Sequence, residues 1–248
     1  MPAHVHCPGR PEDLPHPRVL WAHGALPTLV HAARGELTDE WHGYWLVEGT
    51  GVGFEDFGGN WWNLMPLPEG RAVLYGDDHE MSKTRAEGLD VVPESPDWLP
   101  LAHLRSIVEE PGYVYWFDGA SWHRVPYPDD IDDDGLELTA GEYLTEDRAV
   151  LKAGQDLMGD LGGVVPIKVD IALQPEEAEG VRVARALLEA GTRRRLTREL
   201  LGELLEGLDR SLAYDEEDGE VPPPFDLDAA FDIARRAGFT PEAPPPFS

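Results

Sequence analysis

The chain has one cysteine, Cys7, and three lysines, Lys83, Lys152 and Lys168, in 248 residues. A single cysteine excludes an intrachain disulfide and suits a reducing compartment. The shortage of lysine belongs to a general shortage of positive charge. Lys and Arg total 20 against 48 Asp and Glu, so the formal charge is −28. Such a chain is repelled by nucleic-acid phosphates and by anionic lipid. Neither nucleic-acid binding through a basic face nor attachment to a membrane surface is expected. No apolar run reaches the roughly 20 residues that a spanning helix needs. The first residues lack a basic stretch followed by an apolar core, so no secretion leader is expected and a cytoplasmic location is. Catalytic signatures are missing as well. There is no G-x-S-x-G, no G-x-x-x-x-G-K-[ST], and Gly51-Val52-Gly53 lacks the third glycine of a dinucleotide loop. No reaction can be named from these motifs.

What is present is enough to build a core. Hydrophobic residues make up 42% and aromatics 9%, which is not a disordered composition despite the charge. All eight tryptophans lie between Trp21 and Trp122, and all nine histidines between His4 and His123. The expected class is α+β: an antiparallel, hairpin-built β layer in the N-terminal half, helices packed on it, and a C-terminal helical hairpin. Residues 1–18, with five prolines, read as an irregular arm. Residues 19–175 read as a Trp-rich α+β domain, 176–213 as a helical hairpin on the same core, and 214–248 as an acidic, Pro-rich linker with a short helix and tail. Strands are expected over 41–48, 60–66, 71–76, 113–117, 122–125 and 164–173, with a Gly-rich connection after the first. Helices are expected over 97–109, 145–158, 176–190, 193–213 and 226–237, with Gly191 as a stop and Thr192 as a cap. Leu196, Leu200, Leu204, Leu208 and Leu212 step by four and need a packing partner, in the same chain or across an oligomer.

Five groups of residues invite a chemical reading. Asp130-Ile131-Asp132-Asp133-Asp134-Gly135 matches the first half of a calcium loop, in which Asp130, Asp132 and Asp134 would converge on a hard cation. The second half breaks the pattern, with Gly141 where a bidentate Glu belongs. A solvated acidic turn is the preferred reading, and a calcium or magnesium site the alternative. Asp77-Asp78-His79-Glu80 follows the strand 71–76 and offers metal ligands or an acid–base pair. Alternation along an extended chain lets only two of the four share a site, so a polar turn is preferred. His4, His6 and Cys7 lack the second ligand pair of a zinc site. Trp61-Trp62, beside Asn60, is the most distinctive local feature. One indole of such a pair faces outward and can anchor a partner, unless a second layer covers it. Arg193, Arg194 and Arg195 form the one dense basic patch, read as a charged helix face.

The charge is not spread evenly. Residues 125–175 carry 3 − 12 = −9, and Asp129 to Asp147 holds nine acids and no base. The expected function is therefore an acidic binding protein that neutralises or regulates a basic protein partner, as an immunity-like or antitoxin-like inhibitor or as a charge mimic. Its expected contact residues are Asn60, Trp61, Trp62, Asp129, Asp130, Asp132, Asp133 and Asp134. A metal-dependent hydrolase using Asp77, Asp78, His79 and Glu80 is one alternative. A passive structural module, acidic for solubility, is the other.

Overall fold

The structure, a computed structural model, describes residues 5–38, 43–47, 50–94, 96–107, 110–158, 175–208, 223–244, 246 and 247. Six strands form one antiparallel sheet in chain order. They are Tyr44–Val47 (β1), Gly51–Glu55 (β2), Trp61–Leu67 (β3), Arg71–Asp77 (β4), Tyr113–Phe117 (β5) and Trp122–His123 (β6). The helices are Pro17–Ala33 (α1), Lys83–Ala86 (α2), Leu101–Leu104 (α3), Glu146–Met158 (α4), Pro175–Thr192 (α5), Arg198–Leu205 (α6) and Leu227–Arg236 (α7). No helix among the described residues is long and apolar enough to cross a membrane.

Strand alternation divides the apolar side chains between two faces. Tyr44, Leu46, Val52, Trp62, Leu64, Leu74, Tyr113 and Tyr115 point into the main core with the helices. Trp61, Val73, Tyr75 and Val114 point the other way, onto Val91, Val92, Leu99 and Leu104. Those four belong to the long β4–β5 connection, so the sheet is covered on both sides. Each large apolar side chain buried in this way contributes about 1.5–3 kcal/mol.

The centre of the main core is α1, to which the sequence reading assigned no element. It begins at Pro17, inside the stretch expected to be irregular. Nearly every residue from Leu20 to Ala33 is buried. It packs against α4, α5, α7 and β1 to β3, so it has no polar face and no amphipathic period to read. The local signals were Pro17 at the first helical position and the His16 cap, whose side chain accepts from Arg18 N. Trp21 Nε1 donates to the Ala237 carbonyl at 3.0 Å, and Asp226 N to the Ala33 carbonyl at 2.7 Å, which joins both ends of α7 to α1.

Other differences have equally local causes. The Gly-rich connection after β1 is in fact β2, an interior strand. A Cβ at Gly53 would lie 2.5 Å from the Trp45 ring, so glycine there makes room for the neighbouring strand's indole. The helix expected over 97–109 is a single turn, α3, which follows Pro100 and seats Leu104 under the sheet. Gly191 does not stop a helix. It lies within α5, where a Cβ would come 2.8 Å from the Phe239 ring. The break falls instead at Arg194, with φ of 56°, and Thr197 caps α6 by accepting from Leu200 N at 3.2 Å. Leu196, Leu201 and Leu205 are buried in the main core, so the leucine stripe packs within the chain as far as it is described. α4 and α7 match their expected spans, and Gly238, at φ 78°, ends α7. The strand expected over 164–173, Leu212 and the acidic run 215–220 lie outside the described residues.

Candidate functional site

Register fixes where the loops gather. Glu55 pairs with Trp61, Trp61 with Asp77, and Gly76 with Tyr113, so these four strand termini meet at one end of the sheet. The loop 56–60 is folded around the Asp56 carboxylate, which accepts from Gly58 N at 2.7 Å, Asn60 N at 3.0 Å and Asn60 Nδ2 at 2.7 Å. Asn60 Oδ1 then accepts from His79 N at 2.9 Å, which ties this loop to the one after β4. Asn60 therefore links two loops of the chain itself.

Asp77 and Asp78 are buried and serve different partners. Asp77 pairs with Arg85. Burial raises its carboxyl above the usual range, against the opposing pull of Ser82 and Arg85. Asp78 Oδ1 accepts from Glu80 N at 3.0 Å and Met81 N at 2.9 Å, which shapes the turn. His79 and Glu80 are exposed.

The acidic loop is held from below. Asp134 is 1% exposed and accepts four hydrogen bonds. Its Oδ1 receives Gly9 N at 3.0 Å and Leu136 N at 3.3 Å, and its Oδ2 receives the hydroxyls of Tyr115 at 2.7 Å and Tyr127 at 3.3 Å. Ile131 is also buried. Ser82 Oγ donates to the Asp134 carbonyl at 3.1 Å, and Lys83 N to the Asp133 carbonyl at 3.1 Å. The 77–82 and 130–135 segments thus do adjoin. Their carboxylates nevertheless turn to separate structural roles, and among the described residues no group of three or more His, Cys, Asp or Glu side chains is placed to hold a metal ion. Asp133 accepts from Gly135 N at 2.8 Å, and burial together with Asp134, Asp78 and Glu137 raises its carboxyl. Asp129, Asp130 and Asp132 are exposed, Asp132 lying 3.2 Å from Lys83 Nζ. Two large apolar side chains of the linked loops are exposed, Phe57 of the 56–60 loop at 50% and Met81 of the 77–82 segment at 45%.

The tryptophan pair is a correction. Trp62 is 0% and Trp61 8% exposed, so neither indole is available to a partner. Alternation does send them to opposite faces, but Val91, Val92, Leu99 and Leu104 cover the outer one. The basic patch does not reach the acidic loop. Arg193 pairs with Glu189 at 2.7 Å, Arg194 holds the carbonyls of Pro241 and Ala243, and Arg198 pairs with Asp228 at 2.5 Å.

In the arm, His4 lies outside the described residues, His6 Nδ1 contacts Asp13 Oδ1 at 2.7 Å, and Cys7 Sγ donates to Glu137 Oε2 at 3.0 Å. Burial, the Glu137 bond and the nearby carboxylates push the Cys7 thiol up to about 12 from its ordinary 9.0. Thiolate is the reactive form, and its lower fraction is partly offset by the greater nucleophilicity of a more basic thiolate, so Cys7 should be alkylated at neutral pH on the order of tens-fold more slowly than a free thiol. A timed iodoacetamide reaction followed by intact mass checks this.

Two polar clusters gave no signal in the sequence, because their members are far apart along it. One runs across the outer face, where Trp45 Nε1 donates to Asn63 Oδ1 at 3.0 Å, Asn63 Nδ2 to the Tyr75 hydroxyl at 2.9 Å, and that hydroxyl meets His103 Nε2 at 3.1 Å. The other is buried between α1 and α4 and centres on His31. Comparison with family models, with curated proteins and with solved structures found no match for the chain. Its class is thus defined by its own fold: an α+β protein on a six-stranded antiparallel meander, with an acidic loop cluster at one sheet end.

Proposed function

We propose that the chain is an acidic binding protein that docks a basic protein partner on the loop end of its sheet and so neutralises or regulates it. Inhibition in the manner of an immunity protein or antitoxin, and mimicry of nucleic-acid charge, are two forms of this one role. The observation that carries the reading is the division of labour in the loop 129–135. Asp134 and Ile131 turn inward and anchor it, while Asp129, Asp130 and Asp132 are exposed. A held loop spends less ordering entropy on binding than a mobile one. Its carboxylates accelerate encounter with a cationic surface, and Phe57 and Met81 supply apolar contact beside the charges.

The test is capture from the native lysate on the immobilised full chain. One partner with a pI above about 9 should be retained at about 0.1 M salt and shed at about 0.5 M, as screening shortens the reach of charge. The triple variant Asp129→Asn, Asp130→Asn, Asp132→Asn should lose the partner while its stability moves by no more than about 0.5 kcal/mol. Retention that is indifferent to salt, or equal on the triple variant, would overturn the proposal.

A further inference from the structure

His31 lies in the last turn of α1 and is buried. Each of its ring nitrogens faces a carboxylate from a different element. Nδ1 is 2.9 Å from Glu36 Oε2, in the turn that follows α1, and Nε2 is 3.5 Å from Asp156 Oδ2, in α4. A neutral imidazole has one N–H and one lone pair, so it would set that lone pair against a carboxylate oxygen. Only the imidazolium presents an N–H and a positive charge to both neighbours. The rest of the cluster is charged or polar. Arg34 of α1 pairs with Glu36 Oε1 at 2.7 Å and donates to the Asp156 carbonyl. Lys152 of α4 is 3.5 Å from Asp156 Oδ1. Glu142 is half-buried, with Lys152 and Arg148 as its nearest cations, and burial raises its carboxyl. The Tyr44 and Tyr143 hydroxyls meet at 3.2 Å, and the Tyr44 ring lies 4.7 Å from the imidazole. Asp226 of α7 reaches this end of α1 only through its backbone N–H, its carboxylate being spent on capping α7.

The two contacts of His31 are unequal. Glu36 keeps Arg34 whether or not the ring is charged. Asp156 keeps only Lys152, at 3.5 Å on its other oxygen, and its Oδ2, like Glu36 Oε2 and His31 Nε2, is buried with no hydrogen-bond partner among the described residues, so at Oδ2 the imidazolium charge is the offset. We propose that His31 is a proton-operated latch: doubly protonated, it ties the end of α1 to both the 36–38 turn and α4, and on losing a proton it releases the α4 side. Burial opposes the charged ring, but the Asp156 and Glu36 carboxylates on either side outweigh it and hold its pKa above the ordinary 6.5. The sign follows. The latch contributes its full stability below the imidazole's unfolded value, and this contribution is lost as pH rises through the folded one.

Ring titration by NMR, hydrogen exchange and thermal melts on the full chain from about pH 5.5 to about pH 9 test the latch. The His31 ring should titrate above 6.5. Across that transition the amides of Arg34 and Gly35, which donate to Val30 and Ala32, should lose about tenfold in protection after correction for intrinsic rates. Asp156→Asn should lower the ring's titration point, and His31→Gln should remove the alkaline fall in Tm. A ring that titrates at or below 6.5, or protection that ignores its deprotonation, overturns the latch. Both readings come from the unaltered chain, so the test stands even where a variant fails to fold.

Discussion

Trp62→Ala should lower the unfolding free energy by about 3–5 kcal/mol, a large part of the roughly 5–15 kcal/mol a domain has to spare. Trp62 has no exposed surface, packs on the Tyr143 ring at 4.9 Å, and stands where the sheet meets α1. Its Nε1 has no hydrogen-bond partner among the described residues, so the loss is one of packing. The partner position makes the prediction sharper. A Cβ on Gly24 of α1 would lie 2.6 Å from Trp62 Cη2, at the far edge of a rigid, enclosed ring. Gly24→Ala should therefore cost about 1–3 kcal/mol by overpacking, although alanine is the better helix former by about 1 kcal/mol. In the Trp62→Ala background the ring is gone, and Gly24→Ala should become neutral or stabilising. Urea unfolding of the four members of this cycle reads the change of sign directly. Additive costs would mean that α1 and β3 do not meet as described.

Asp134→Ala is expected to cost about 3–4 kcal/mol and to release the N-terminal arm. The carboxylate accepts from two backbone amides and two tyrosine hydroxyls. A hydrogen bond to a charged acceptor is worth about 1.5–3 kcal/mol, and the four share one anion, so their losses do not add. Tyr115 is buried and would keep an orphaned hydroxyl. Asp134→Asn should be far milder, about 1 kcal/mol. Its amide oxygen can still serve Gly9 and Leu136, and its NH2 can donate to the tyrosine hydroxyls, which accept as readily as they donate. Cys7 supplies an independent readout, because it belongs to the same arm and its thiol is raised partly by Asp133, Glu137 and Asp134. Alkylation of Cys7 should speed up sharply in Asp134→Ala and only slightly in Asp134→Asn. Equal stability loss in both variants, with Cys7 unchanged, would show that the carboxylate does not hold the arm.

The strands were legible wherever one face alternates with the other. β3, β4 and β5 follow the period-two placement of their aromatic and branched residues, and the hairpin at Asp118-Gly119 turns where those two residues allow. α4 and α7 were legible because each keeps a polar face. β2 and α1 were not, for opposite reasons. β2 carries glycines that read as a loop until the Trp45 ring is seen to lie over Gly53. α1 has no solvent-facing polar stripe because from Leu20 to Ala33 it is enclosed on every side, and enclosure erases the period that marks a surface helix. The acidic loop was legible as a run of carboxylates. Which of them anchors it and which face water was not, since Asp130, Asp132 and Asp134 are chemically alike.

The excess of acid divides into exposed carboxylates and buried ones that hold the fold. Composition alone determined the net charge of −28 and the absence of an intrachain disulfide, and the order of residues showed no long apolar run. Local pattern alone determined the α+β class and most of the strands. Tertiary structure decided the rest: that both indoles of Trp61-Trp62 are covered, that Asp77 and Asp134 are buried, and that His31 faces Glu36 and Asp156. The physical reason is common to all three. Burial and partnership depend on what packs against a residue from elsewhere in the chain, and Asp156 is 125 residues from His31. No local pattern carries that distance.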